Sequence, residues 1–197
     1  MRGHPSILAF HGEVETHARP VEGGADSVGG MPTRLLLLAD THVPKRARAL
    51  PAAVRRMASD VDLIVHAGDW VEESVLDDLL AIGPVLGVWG NNDGEDLRAR
   101  LPEVARAEIE GVRLAVVHET GAAAGRAKRM DAAYPDTDLL VFGHSHIPWD
   151  SETPTGLRLL NPGSSTDRRR QPACTVMTAT LADGAVRDVV LHEVSRE

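Results

Sequence analysis

The chain has 197 residues, 43% of them hydrophobic and 25% charged, which is the composition of a globular domain with a full core. Its formal net charge of −8 argues against non-specific nucleic-acid binding, which needs a basic surface, and its one cysteine, Cys174, excludes an intrachain disulfide and points to a reducing, cytoplasmic setting. No apolar run approaches the roughly 18–20 residues of a membrane span, and the run at 7–10 is too short for a secretion signal, so no membrane association is expected. Residues 1–33 contain Gly23-Gly24, Gly29-Gly30, Pro5, Pro20 and Pro32 without sustained periodicity, and are expected to form a disordered or loosely packed extension. Met31 stands just before the first clear strand and is a candidate start, which would leave residues 1–30 outside the native chain. A single domain is expected over residues 34–197, with no internal repeat.

From Arg34 onward the pattern is regular. Residues 34–40 read as a buried strand ending in Asp40, 49–58 as a helix, and 61–69 as a second buried strand ending in Asp69. An amphipathic helix is expected over 71–82, its early acidic residues suiting the helix dipole. Residues 84–93 read as a third strand ending in Asn91, and 106–118 as a hairpin through Glu110-Gly111 ending in His118. A helix follows over 121–132, carrying Arg126, Lys128 and Arg129, then a strand over 138–146 ending in His144 and His146. Three more strands are expected at 157–164, 173–182 and 186–194, the last two joined by Asp183-Gly184 as a hairpin. Strands alternating with helices and then running in succession predict an α/β domain with mixed sheets.

The strand ends share a property. Asp40 and His42, Asp69, Asn91, His118, and His144 with His146 all stand where an apolar run stops, and ligand sites of open α/β sheets lie beyond the carboxyl ends of the strands. Seven oxygen and nitrogen donors at one sheet edge exceed what a tetrahedral ion uses. They suit two ions about 3.5–4 Å apart, bridged by one carboxylate, with the neutral carbonyl of Asn91 as a weaker terminal ligand. Singly, each has a bland reading: Asp40 and Asp69 as helix N-caps, Asn91 as a turn residue, His118 as a chance neighbour, and the two histidines of the last pair as a surface turn. The acidic net charge leaves a phosphate substrate open, because bound cations invert the local sign.

In this order "DTH" at 40–42, "GD" at 68–69, "GNND" at 90–93, His118 and "GHSH" at 143–146 resemble the calcineurin-like metallophosphoesterases, and within them the small single-domain bacterial and archaeal phosphodiesterase branch. The resemblance implies two facing mixed β-sheets flanked by helices, a four-layer sandwich with a dinuclear site at one edge. It implies that Asp40, His42 and His146 hold one divalent ion, that Asn91, His118 and His144 hold the other, and that Asp69 bridges them. Phosphate-ester hydrolysis by a metal-bridging hydroxide follows, on a small-molecule substrate and most concretely on a phosphodiester. Ligands without thiolate permit Mn, Fe, Ni, Co or Zn, and five- or six-coordinate geometry favours Mn or Fe. The chain departs from the family at Asn92, where many members carry a histidine that serves the leaving group; Asn donates a hydrogen bond but transfers no proton, so good leaving groups are favoured. Asp93 is expected to orient Asn92 or to cap the helix that follows.

His66, inside a buried strand, reads as a core histidine that supports a ligand, Cys174 as a core residue, and His192, His4, His11 and His17 as bystanders. Glu119 reads as solvated. The loop at 161–165 reads as a tight turn, with substrate contact as its alternative, and Arg168 to Arg170 read as a solvated basic loop in preference to a patch that attracts a substrate phosphate or a partner. Trp70, Trp89 and Trp149 read as packing at the strand edge, with one able to line the pocket wall. Two other functions compete with the hydrolase. One is a protein-interaction scaffold, as some relatives that lost metal ligands are. The other is a metal-dependent nuclease, disfavoured by the acidic charge and by the lack of an aromatic stacking surface.

Overall fold

Four consecutive leucines, Leu35 to Leu38, are fully buried, which requires the strand carrying them to be covered on both faces. The computed structural model describes residues 31–195. The expected extension up to residue 30, with His4, His11 and His17, lies outside the described residues.

In chain order the elements are β1 (Thr33–Leu38), α1 (Ala52–Ser59), β2 (Leu63–His66), α2 (Glu73–Leu80), β3 (Val85–Gly87), α3 (Glu95–Arg100), β4 (Val104–Ile109), β5 (Val112–Val117), α4 (Arg126–Ala133), β6 (Leu139–Val141), β7 (Trp149–Glu152), β8 (Arg158–Asn161), β9 (Cys174–Ala182) and β10 (Ala185–Val194). They build two five-stranded sheets, in the orders β10-β9-β1-β2-β3 and β4-β5-β6-β8-β7. Both sheets are mixed. In the first, β1, β2 and β3 run parallel while β9 and β10 run antiparallel. In the second, β5, β6 and β8 are parallel, with antiparallel β4 and β7 at the edges.

Side chains alternate across each strand, and that alternation sorts the core into three bodies. Leu35, Leu37, Leu63, Val65 and Leu86 meet Leu114, Val116, Leu139, Val141 and Leu160 between the sheets. Leu36, Leu38, Ile64 and Val85 face outward onto Val54 and Ala58 of α1, Leu76 and Leu79 of α2, and Leu97 of α3. On the far side, Ala115, Val117, Leu140, Phe142 and Leu159 receive Met130 of α4. The layers are therefore helix, sheet, sheet, helix, the sandwich that the family resemblance implied. Each fully buried Leu or Val contributes roughly 1.5–3 kcal/mol of transfer free energy.

The boundaries differ from the sequence reading in places with clear causes. The third strand stops at Gly87 rather than running to Asn91, because the backbone of Trp89 turns away to bond Pro102. The fourth helix starts at Arg126, since Gly121 and Gly125 both take positive φ and cannot continue a helix. Strand β7 was not expected: its sequence Trp-Asp-Ser-Glu carries one apolar side chain, and it is held by pairing with β8 and by the bidentate Arg158–Asp150 contact, with nitrogen–oxygen distances of 2.8 Å. The hairpin turns form as read, at Glu110-Gly111 and Asp183-Gly184, all four residues at positive φ.

Candidate metal centre

Strands β1, β2 and β3 of one sheet and β5 and β6 of the other end at the same edge of the sandwich, and the chain reverses sharply after them. Asp40, His42, Asp69, His144 and His146 all adopt left-handed backbone, with φ between 44° and 68°. Such a conformation costs a non-glycine residue roughly 1–3 kcal/mol and persists only where the surroundings impose it. Five of them at one edge turn their side chains across it. Glycines let the turns pass closely. A Cβ on Gly143 would stand 2.9 Å from both Ala39 Cβ and the Ala67 carbonyl, and one on Gly90 would collide with Asp69.

The structure brings all seven sequence-predicted donors together. His42 Nε2 lies 3.1 Å from His146 Nε2, 3.6 Å from Asp69 Oδ2 and 3.8 Å from Asp40 Oδ1. His146 Nε2 is 3.3 Å from Asp40 Oδ1. On the other side, His118 Nε2 is 3.5 Å from Asp69 Oδ1 and 3.0 Å from Asn91 Oδ1, which in turn is 2.9 Å from His144 Nδ1. Asp40, His42 and His146 form one compact buried group of potential ligands and Asp40, Asp69 and His118 a second. Asp40 is common to both groups, and Asp69 also faces both sides, one oxygen toward His42 and the other toward His118.

Hydrogen bonds set which atoms face inward. His118 donates Nδ1–H to the Ala67 carbonyl at 2.8 Å, and His146 donates Nδ1–H to the Asp167 carbonyl at 2.7 Å. A neutral imidazole protonated at Nδ1 has a bare Nε2, so both rings turn lone pairs toward other acceptors. Burial lowers the pKa of His42 more than the neighbouring Asp69 and Asp40 raise it, which favours its neutral form. Both carboxylate oxygens of Asp40 are sealed from solvent with no hydrogen-bond partner. Lone pairs facing lone pairs around an orphaned buried carboxylate are unfavourable unless cations stand between them. The donor set thus fits divalent ions on the chemistry of its own residues.

Asn92 and Asp93 sit in the same loop with different partners. Asn92 donates its backbone N–H to Asp69 Oδ1 at 2.8 Å and its side-chain amide to Asp69 Oδ2 at 2.6 Å. Asp93 neither orients Asn92 nor caps a helix with its side chain. Its carboxylate accepts the N–H groups of Asp69 (3.0 Å), Val71 (2.7 Å) and Gly90 (2.7 Å), stapling the loop after β2 to the loop after β3. Burial raises the Asp93 pKa against those three hydrogen bonds.

Several supporting residues escaped the sequence reading. Ser164 donates to the Asp40 carbonyl at 2.7 Å, Thr166 to the Thr41 carbonyl at 2.5 Å, and Asn161 to the Gly143 carbonyl at 2.8 Å. The 161–166 loop thereby fixes the backbone of two ligand segments. Asp167 holds His146 through its carbonyl and meets Arg46 at 3.2 Å. Asn161 and Ser164 lie within "NPGSS", the stretch singled out in the sequence, and Thr166 and Asp167 directly follow it. His66 does support the site: it is fully buried, stacks on Trp70 at 3.5 Å, lies 3.2 Å from Thr41 Oγ1 and accepts Gly68 N–H at 3.2 Å. Burial pushes its pKa well below the ordinary histidine value. Arg169 reaches the His144 carbonyl at 3.4 Å, Glu119 lies 3.9 Å from His144 Nε2, Trp70 donates to the Val88 carbonyl, and Trp89 lies under Arg98.

Fold and edge together define a class, an α/β sandwich with a cation-ready cluster at its strand ends. Residues 33–184 match the family model of the calcineurin-like phosphoesterase superfamily domain, and the chain belongs to that superfamily. It is 35% identical to a probable metallophosphoesterase of Methanothermobacter thermautotrophicus, over 72% of this chain and 83% of the relative. It is 34% identical to another of Methanocaldococcus jannaschii, over 87% of this chain and 89% of the relative. Among solved structures it shares its fold with Vps29 of Entamoeba histolytica in complex with Zn2+, with a TM-score of 0.62 at 22% identity, over 81% of this chain and 98% of that one.

Proposed function

We propose that this protein is a metal-dependent phosphoesterase, most concretely a phosphodiesterase, working in the cytoplasm through two divalent cations held by a single domain spanning residues 34–197. The observation that carries this reading is the set of inward-facing lone pairs around the orphaned Asp40 carboxylate. Asp40, His42 and His146 would hold one cation, Asn91, His118 and His144 the other, with Asp69 between them. The cations supply Lewis-acid polarisation of a phosphoryl oxygen and a lowered pKa for a water molecule. Mn2+ or Fe2+ suits the mixed oxygen and nitrogen set, as Ni2+, Co2+ or Zn2+ also would.

The chain's own residues divide the remaining tasks. The Nδ1–H bonds of His118 and His146 fix their ring orientations, so the donor cage is formed in advance of substrate. Asn92 clamps both oxygens of Asp69 and holds the sequence position at which the family resemblance implies a residue serving the leaving group. An amide transfers no proton, so esters whose leaving group departs as a stable anion are favoured. A scaffold role is the second reading, favoured by the fold shared with Vps29. Elemental analysis of the untagged protein combined with a panel of mono- and diesters separates the two. Two equivalents of metal with hydrolysis of bis-p-nitrophenyl phosphate support the enzyme. Two equivalents without turnover of any ester support the scaffold.

A further inference from the structure

Asp93 belongs to neither group of potential ligands, yet it is only 4% exposed. Among the described residues its carboxylate accepts hydrogen bonds from backbone N–H groups alone. Oδ2 takes those of Asp69 at 3.0 Å and Gly90 at 2.7 Å, and Oδ1 takes that of Val71 at 2.7 Å. Hydrogen bonds to an ionised acceptor are roughly twice as strong as neutral ones. The residue is anchored in turn. Its own N–H reaches the Gly90 carbonyl at 3.2 Å, and its carbonyl accepts Arg98 Nε–H at 2.9 Å, with the Arg98 guanidinium 4.2 Å from the Trp89 ring.

What this carboxylate holds is a strained turn. Asp69 and Val71 both have left-handed backbone, with φ of 61° and 84°, and for a β-branched valine that is an outlier. Such strain persists only where surrounding contacts impose it, and here the N–H groups of both residues are fixed by one side chain. The turn extends the hold to the first strand. The Asp69 carbonyl accepts His42 N–H at 3.0 Å, and Val71 pairs with Val43 in an isolated parallel bridge. On the other side Gly90 immediately precedes Asn91. One carboxylate thus ties the ends of β2 and β3 directly and the end of β1 through a single further bond. The consequence falls on both groups of donors, because the Asp69 oxygens lie 3.6 Å from His42 Nε2 and 3.5 Å from His118 Nε2.

We propose that Asp93 is a positioning residue for both cation positions: it sets the backbone from which Asp69, His42 and Asn91 reach them. The inference rests on the two-cation part of the reading above and not on ester hydrolysis. It also requires a carboxylate and not merely a side chain of that shape. An amide has one acceptor oxygen. With that oxygen toward Asp69 and Gly90, the NH2 group of an asparagine meets Val71 N–H, donor against donor. Turned the other way, it meets two N–H groups.

Calorimetric titration of the chelator-treated full chain with Zn2+ tests this without turnover. In Asp93→Asn both equivalents are expected to bind about 10–100-fold more weakly, with an unchanged far-ultraviolet circular dichroism spectrum. A purely structural role would lower the Tm of the metal-free protein and leave both affinities where they are; that result, or weakening confined to one equivalent, overturns the proposal. Hydrogen exchange on the unaltered metal-free protein decides the matter even if the variant does not fold. The amides of Asp69, Val71 and Gly90 are expected to exchange far more slowly than in an unstructured chain, and unprotected amides there overturn the proposal. Unaltered protein that binds no Zn2+ overturns the two-cation reading and this inference with it. Two equivalents bound without hydrolysis of any ester remove the phosphoesterase reading alone.

Discussion

At the scale of single residues, Asp69 carries the most connections across the edge. Its two oxygens lie 3.6 Å from His42 Nε2 and 3.5 Å from His118 Nε2, and Asn92 donates to both of them. Asp69→Ala is therefore expected to abolish diester hydrolysis and to lower bound metal more than any other single change, as read by elemental analysis. Near-normal turnover of model diesters by that variant would refute the bridging role. His66 makes a different prediction, through pH. Its folded-state pKa lies below the unfolded value because burial penalises the imidazolium, so the native state refuses a proton that the unfolded chain accepts. Stability from this residue is full above about pH 6.5 and declines as the pH falls below it, by up to about 1.4 kcal/mol per pH unit. His42 shifts in the same direction. Urea unfolding between pH 7.5 and 5.5 should show this slope, and His66→Gln should flatten it; an unchanged slope in the variant would assign the effect elsewhere.

At the scale of elements, the ends of β2, β3 and β6 matter more than their middles. After β2 and β6 the reversal uses a left-handed Asp or His, and after β3 it needs Gly90, where a Cβ would collide with Asp69. Gly143 shows what such a position does. A side-chain carbon there would lie 2.9 Å from Ala39 Cβ and 3.0 Å from Asp40 Oδ2, so β6 would have to move away from β1. Gly143→Ala is expected to cost about 1–3 kcal/mol of stability and to weaken metal binding, seen as a lowered Tm together with reduced metal content. Metal content equal to that of the unaltered protein would show that the two sheets tolerate the displacement. Legibility in the sequence follows the same division. The apolar runs of β1, β2, β5 and β6 were readable because burial on both faces makes them continuous. Polar β7 was not, because its pairing with β8 and the Arg158–Asp150 contact depend on a segment elsewhere in the chain.

At the scale of the whole molecule, the metal edge joins two sheets that otherwise meet through apolar side chains. The ligand-capable side chains follow β1, β2 and β3 of one sheet and β5 and β6 of the other, so cations bound there would bind the folded state and not the unfolded chain. At metal concentrations near 100 times Kd the linkage is about 2.7 kcal/mol, which for a domain of this length corresponds to roughly 5–11 °C in Tm. Scanning calorimetry with Mn2+ and with excess chelator checks this, and superimposable transitions would argue against tight binding at the cage. Among the described residues no helix is long and apolar enough to cross a membrane.

The order of ligand-capable residues along the chain was decided by sequence alone, because each follows a run of apolar residues whose burial is a local property. Which of them face one another was decided only by the tertiary structure. Asp40 common to both groups, the Asp93 carboxylate stapling two loops, and the Asp167 carbonyl orienting His146 across 21 residues all depend on contacts between distant segments. Local periodicity records which face of a strand is buried. It carries no record of which backbone oxygen a neighbouring loop will present, since the packing of two sheets and their helices fixes that.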